Sequence, residues 1–472
     1  MSGKNSQLPT DAAIRQVFAG AADFCVRSLD CQGKTLYAYA IDGLISGGSA
    51  SEYVIKPVAQ LLTGETMEEL YDNAMKGLIY NSVAVPCTTT QAAANCLVNG
   101  FCVILFPGVG AIAFEVKTGD KRSPSPPEVE NTVKGPRDAF VETVRSNTSL
   151  VRRHLRTPDL RLYETKVGQR SLTNVSVLSI AGLTNPELVE RMKKRLDTIC
   201  IDGLLSPSAV EEYVTGSRAT AFPLLQYTER ADTFCRGLLD GRVGLLVDGL
   251  PLGYLAPVDL GYLMDSPEDR SRDYVSASCI KLLRYGALLA GLLLPALYIC
   301  ITMYHRQWIP GEIHQQLAES IQASPFSVSA EVLSLLVALE MLQESGIHLP
   351  QAIGQSVSTI GGIIIGTAAV EAGLMSPMTL VLVSIAGVCG FILPNRDLAG
   401  ALRLWRFAIA LAATFLDFWG IGLTVGAMIL HLAGLKSLGV PYLGHNRLVR
   451  KRLKYENRRN KALNPLDEKN QK

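Results

Sequence analysis

The sequence predicts a two-part fold: an N-terminal cytosolic α/β region of two similar subdomains, followed by a membrane α-helical region. Three observations carry this reading. Residues 356 to 374, SVSTIGGIIIGTAAVEAGL, form a block of small and β-branched residues with no Lys or Arg and one acid, Glu371; small residues let helix backbones approach closely in lipid. Residues 1 to 280 instead mix strand-like runs, FCVILFPG and VGLLVDG, with polar helical stretches such as PELVERMKKRLDTI. That first region also contains an internal repeat: IDGLISGGSASEYV from Ile41 returns as IDGLLSPSAVEEYV from Ile201, and NGFCVILFPGVGAIAFEV from Asn99 returns as DGRVGLLVDGLPLGYLAPV from Asp240.

Each copy reads as an apolar strand ending in Asp-Gly, a helix, and then a hairpin turning at PGVG or DGLP. The expected subdomains are residues 1–140 and 176–280, joined by a helical linker, 141–175, in which VETVRSNTSLVRRHLRTPDL carries the helix. Asp42, Asp202 and Asp248, each followed by Gly, read as turn devices and not as catalytic carboxylates.

A polytopic transmembrane domain is expected over residues 281–440. GALLAGLLLPALYICITMY, residues 286–304, is long enough to cross roughly 30 Å of hydrocarbon, with a kink expected at Pro295. FSVSAEVLSLLVALEMLQESG follows, apolar but carrying Glu331, Glu340 and Glu344. The dipole of its own helix accounts for Glu331. Glu340 and Glu344 lie one turn apart and share a face, suited to basic groups of a neighbouring subunit, a vestibule or head-group water. After the small-residue block come MTLVLVSIAGVCGFILP and the arginine-bearing NRDLAGALRLWR, expected as a cytoplasmic loop.

The last apolar stretch, from Phe407, is longer than one untilted crossing needs and is interrupted by Asp417 and Gly420. It either returns as a hairpin or crosses once against the charge rule. An acid such as Asp417 costs on the order of 2.5–3.5 kcal/mol in lipid and must face a cavity or a partner.

In the small-residue block, an angular count places Gly362 and Gly366 on one helix face, with Ser356, Thr359, Thr367 and Glu371 beside them as a polar stripe. Those six residues are the expected pore lining, with Glu371 at a mouth where carboxylates would concentrate cations. Tight helix packing alone would also use the glycines.

The formal net charge of +2 conceals an asymmetry. Residues 446 to 472 hold ten bases against three acids, leaving 35 bases and 40 acids before them. The basic tail, 441–472, is expected on the cytoplasmic side against anionic lipid; it lacks the aromatic interleaving of a nucleic-acid binder. The N-terminus has no apolar h-region, so residues 1 to 280 are expected to stay cytosolic. Ten scattered cysteines form no CxxC, the six histidines show no metal spacing, and there is no GxxxxGK[ST], GxSxG or dinucleotide fingerprint. No metal, cofactor or enzymatic activity is expected.

The segments PALYICITMYHRQWIP, PFSVSAEVLSLLVALEMLQESGIHLPQAIGQSVSTIGGIIIGTAAVEAGLMSP, RLWRF and LKSLGVPYL, with IDGL, GPRDAFVETVRSNTSLVRRHLR and VGLLVDGLP before them, resemble the A-subunit family of bacterial spore germinant receptors, the GerA family. The resemblance implies a multi-pass protein of the inner spore membrane with a cytosolic N-terminal region, forming a homo-oligomeric, ligand-gated ion channel. It also implies a permease-like B subunit, to which nutrient recognition is chiefly assigned, and a lipoprotein C subunit. Two residues depart from the family pattern: Thr367, where Gln is frequent, and Asp417, where a small or apolar residue is usual. The same resemblance extends to a non-receptor relative of the stage V sporulation protein AF type. From the residues alone, alternating access around the interrupted helices, or a tethered cytosolic sensor, also stand.

Overall fold

The computed structural model describes residues 8–79, 83–117, 130, 136–204, 206–216, 219–270, 273–309, 324–348 and 366–444. The basic tail from Asn446, and Ser356, Thr359 and Gly362 of the expected pore lining, lie outside them.

Two five-stranded sheets form the N-terminal part. The first contains β1 (Phe24–Cys31), β2 (Lys34–Ile41), β3 (Ala84–Cys87), β4 (Phe101–Phe106) and β5 (Gly110–Glu115) in the order β1-β2-β4-β5-β3. The second contains β6 (Leu160–Val167), β7 (Thr173–Ile180), β8 (Gln226–Thr228), β9 (Val243–Val247) and β10 (Gly253–Ala256) in the order β6-β7-β9-β10-β8. The two orders are the same permutation, and the strand pairs within both sheets are antiparallel. The internal repeat is therefore a repeat of topology.

Both faces of each sheet are covered. Along β4, Ile104 and Phe106 join a cluster with Leu36 and Val58, while Val103 and Leu105 join another with Ile14 and Leu97. A strand buried on two sides has no solvent face to alternate with, which is why FCVILF reads as an unbroken apolar run.

The repeat aligns well at β4–β5 and β9–β10 and poorly at IDGL. Ile41 ends β2, but Ile201 follows a helix, Pro186–Asp197, and lies in no strand. Its backbone closes the β6–β7 turn instead, where Gln169 N donates to the Ile201 carbonyl and Arg170 N and Ser171 N donate to that of Asp202. The helix after it, Pro207–Thr215, has a complete set of end signals: Ser206 as N-cap, Pro207 in the first turn and Gly216 left-handed at the end.

The segment expected as a helical linker, 141–175, supplies α1 (Val144–His154), all of β6 and the start of β7. It is thus part of the second lobe. Asp248, beyond making a turn with Gly249, accepts from Val144 N at 2.9 Å and so caps α1. From α1, Arg152 reaches back to Asp23 in the first lobe, bidentate, with both bonds at 2.7 Å and both side chains 1% exposed. Ser149 donates to the Gly43 carbonyl beside it at 2.7 Å, and Ala21 bridges Leu162 of β6.

The C-terminal part is a bundle of α2 (Tyr274–Met303), α3 (Val328–His348), a short helical segment at 366–371, α4 (Pro377–Phe391) and α5 (Arg396–Gly434). Among the described residues, α2 and α5 are long and apolar enough to cross a membrane. α2 runs on through Pro295 as one helix. NRDLAGALRLWR, expected as a loop, instead opens α5, with Asn395 capping Leu398 N at 2.8 Å.

The Arg152–Asp23 pair yields a stability prediction. Asp23→Asn leaves a guanidinium buried between the lobes without its carboxylate, and a loss of about 3–5 kcal/mol is expected. A clear fall in Tm of the full chain in detergent checks this; an unchanged Tm would show that apolar contacts hold the lobes together.

Candidate functional site

α5 is a helical hairpin. Asp417 interrupts it with φ 52° and ψ −142°, a conformation that costs an L-residue of order 1–3 kcal/mol. Trp405 and His431, 26 residues apart, have ring centroids separated by only 6.1 Å; a straight helix would hold them about 39 Å apart at 1.5 Å per residue. A methyl group on Gly420 would overlap the Ala412 carbonyl oxygen, so only glycine lets the second arm pass the first. Of the two readings open at the sequence level, the return as a hairpin is the one observed.

Both ends of the hairpin reach the second lobe. On the entering arm, Tyr227 Oη donates to Asp397 at 3.3 Å. On the returning arm, His431 pairs with Thr220 at 3.0 Å, and Ser437 donates to the Leu224 carbonyl at 2.6 Å and accepts from Val258 N at 2.9 Å. α2 starts from the same lobe, with Arg284 bidentate to Asp269 at 2.5 and 2.7 Å and donating to the Met264 carbonyl at 3.1 Å.

At the other end of the bundle, the hairpin tip meets the end of α2. His305 Nε2 lies 2.6 Å from Asp417 Oδ2, and Tyr304 Oη donates 2.6 Å to the Thr414 carbonyl. The His305 ring stacks on Trp308 at 4.8 Å and contacts Phe418 at 5.0 Å. Asp417 therefore has the partner that its cost in an apolar setting demands.

One level below the tip lies a second polar cluster. Glu331, fully buried on α3, accepts from Ser376 N at 3.1 Å and from Thr379 Oγ1 at 2.8 Å, and Tyr298 of α2 lies 3.1 Å from Thr379 Oγ1. The carboxylate thus sits at the N-terminus of α4, where unpaired N–H groups and the helix dipole favour negative charge. Glu331 lies in the first turn of its own helix, as expected, and its side chain also reaches the N-terminus of α4, so two helix dipoles favour its charge.

A third cluster lies toward the lobe. Arg403 pairs with Glu340 at 3.0 Å and also bonds Gln343. Arg406 is 4% exposed and donates 3.3 Å to the Ala386 carbonyl. Glu340 therefore meets an arginine of its own chain, while Glu344 is exposed nearby on α3.

Of the expected pore lining, Gly366, Thr367 and Glu371 are described. Gly366 is buried, with α4's Leu380 side chain at its face, while Thr367 and Glu371 are exposed. His305, Arg403 and Arg406 were not singled out by sequence reasoning. The available signal was ionisable residues within or beside apolar helices, which is a functional pointer in itself. Among the described residues no group of His, Cys, Asp or Glu side chains could hold a metal ion.

A family model described as Bacillus/Clostridium GerA spore germination protein matches residues 12–456. The chain belongs to the GerA family. Within it, the chain is 33% identical to the Bacillus subtilis protein named uncharacterized membrane protein YfkQ, over 90% of this chain and 83% of that one. It is 30% identical to spore germination protein GerLA of Bacillus cereus over 92% of this chain and 86% of the relative, and 32% identical to spore germination protein A1 of Bacillus subtilis over 77% and 76%. The crystal structure of the N-terminal domain of the A subunit of the Bacillus megaterium germinant receptor GerK3 aligns at 23% identity and a TM-score of 0.42, covering 54% of this chain and 98% of that domain. Family membership and the two apolar helices associate this GerA protein with a membrane and with spore germination.

The hairpin geometry is directly testable. With Trp405→Cys and His431→Cys together, a short thiol crosslinker should close within one chain, and Gly420→Ala should sharply reduce the yield. Efficient crosslinking undiminished by Gly420→Ala would show that the close crossing at Gly420 is dispensable.

Proposed function

We propose that this chain is an A-type subunit of a germinant receptor, a multi-pass protein of the inner spore membrane with its two lobes in the cytosol, whose copies assemble to form a nutrient-gated ion channel. Family membership supports the receptor role. The arms of α5, residues 396–416 and 418–434, extend about 31 and 25 Å at 1.5 Å per residue, which matches roughly 30 Å of hydrocarbon. Exposed Tyr304, Trp308, Phe415 and Trp419 gather near the hairpin tip, as aromatic residues do at a membrane interface.

The observation that carries the channel reading is the placement of Thr367 and Glu371. Both are exposed on the outer surface of a bundle whose neighbouring exposed residues, Leu374, Met378 and Val381, are apolar. A carboxylate on such a surface needs water or a polar neighbour, and an aqueous path between copies of the chain supplies the water. Ser356, Thr359 and Gly362 complete the proposed lining, and Gly366, expected in it, instead packs inward on Leu380 of α4 and sets how closely the lining segment approaches the bundle. A permease-like B subunit and a lipoprotein C subunit would be the partners that transmit nutrient binding, and anionic lipid would hold the basic tail.

A second reading has an observation in its favour: the 33% identical relative YfkQ is named as a membrane protein and not as a germination protein. On that reading the chain is a non-receptor relative of the stage V sporulation protein AF type that aids ion release.

Ion flux through liposomes containing the chain separates these. Glu371→Gln is expected to lower cation conductance several-fold and to weaken cation preference, and Gly366→Leu to abolish flux. Flux unchanged by both would remove residues 356–374 from the conduction path.

A further inference from the structure

Where the hairpin enters the bundle, a cleft of about 1110 Å³ separates its first turns from the second lobe. One wall is the helix Pro207–Thr215 with the segment Thr220–Tyr227; the other is the start of α5, Arg396–Leu404. Glu211 and Asp397 face the cleft from opposite walls. Glu211 uses Oε1 to accept from Leu224 N at 2.5 Å and Leu225 N at 3.2 Å, and Asp397 uses Oδ1 to accept from Tyr227. Each therefore keeps its second oxygen clear of these bonds. Burial pushes the Glu211 carboxyl above the usual carboxylate range, and the Asp397 charge adds to this, while the two backbone bonds oppose it.

Tyr254 is the independent observation. It lines the cleft, its residue is 2% exposed, and its hydroxyl has no hydrogen-bond partner among the described residues. A buried unsatisfied hydroxyl costs about 1–3 kcal/mol and is retained where something else satisfies it. Phe222, Tyr227 and Tyr254 together give the cleft aromatic surface; its charged lining is Glu211 and Glu212 on the lobe and Asp397, Arg396 and Arg403 on α5, with Arg403 held by Glu340, so the carboxylates outnumber the guanidiniums left facing the cleft.

We infer that this cleft binds a small organic ammonium ion, held between the Glu211 and Asp397 carboxylates, with its N–H groups toward the Tyr254 hydroxyl and its carbon body against the Phe222 and Tyr227 rings. Cations are attracted to aromatic faces as well as to carboxylates. A bare divalent metal fits poorly, because it requires several oxygens converging at 2.0–2.6 Å, and no metal-ligand grouping exists among the described residues. The occupant touches the second lobe on one side and the entering arm of the hairpin on the other, so its binding favours one arrangement of the two. By linkage, whatever moves the hairpin changes the affinity of the cleft. This inference rests on the cleft alone and stands or falls independently of the proposed channel.

Calorimetry on the full chain in nanodiscs tests it, with phenethylammonium chloride as the probe and 2-phenylethanol as its uncharged match. The ammonium should bind saturably and at least ~10-fold tighter than the alcohol, as loss of a charge-paired contact commonly costs a factor of this size or more. Asp397→Asn and Glu211→Gln should each weaken it ~10-fold. Ser208→Arg, which places a cation at the rim without touching a buried hydrogen bond, should do the same even if Glu211→Gln fails to fold. Affinity should also fall as the pH is lowered, because the raised Glu211 carboxyl takes up a proton and loses its charge. Equal binding of the alcohol, binding unchanged in Asp397→Asn and Ser208→Arg, or the same heat from calcium chloride would overturn the assignment.

Discussion

The bundle depends on one reversal of the chain. At Asp417 the backbone leaves the helix, Gly420 lets the returning arm pass the Ala412 carbonyl, and His305 supplies the partner for the carboxylate thus exposed. In an apolar setting every backbone polar group freed by a break must find another partner. Here the Tyr304 hydroxyl donates to the Thr414 carbonyl, three residues before the break. The break is thus supported by the end of α2, and the end of α2 is fixed by the break.

That reversal determines how the two halves of the molecule are joined. A single crossing would leave the C-terminal segment on the far side. The hairpin instead returns Ser437 to the second lobe, where it bonds Leu224 and Val258, and Leu260 N donates to the Tyr442 carbonyl. Phe222, Tyr262 and Met264 of the lobe share one apolar cluster with Leu292, Ile409 and Leu432 of the bundle. The two-lobed part is therefore not joined to the bundle by α2 alone; it grips both arms of α5. Under the proposed function, a rearrangement of the lobes has a short mechanical route to the bundle.

Much of this was legible in the sequence, and the failures have identifiable causes. The β4–β5 and β9–β10 hairpins were readable because apolar runs bounded by Asn-Gly and Asp-Gly leave few alternatives, whereas β6 and the start of β7 lay hidden in the segment read as a helical linker; Asp417 with Gly420 marked the interruption in α5. The IDGL repeat misled because the second lobe has a helix, Pro186–Asp197, ahead of it, so that equal words occupy different places. NRDLAGALRLWR was read as a loop because three arginines signal a cytoplasmic flank; in the structure Arg403 and Arg406 spend that charge on Glu340 and on the Ala386 carbonyl. Pairings such as His305 with Asp417, 112 residues apart, or Glu331 with Ser376 are set by tertiary packing, and no local pattern encodes them.

The central claim is that α5 enters and leaves from the side occupied by the lobes, with its tip at the opposite face. Sided labelling decides it most directly. Single cysteines at the tip, Leu416→Cys or Gln307→Cys, and at the base, Lys436→Cys, are introduced into a chain whose exposed Cys25, Cys200 and Cys279 are replaced, and sealed vesicles with the lobes inside are treated with an impermeant maleimide. The account predicts labelling at the tip from outside and at Lys436→Cys only after permeabilisation. Labelling of Lys436→Cys from outside, with the tip protected, would contradict it.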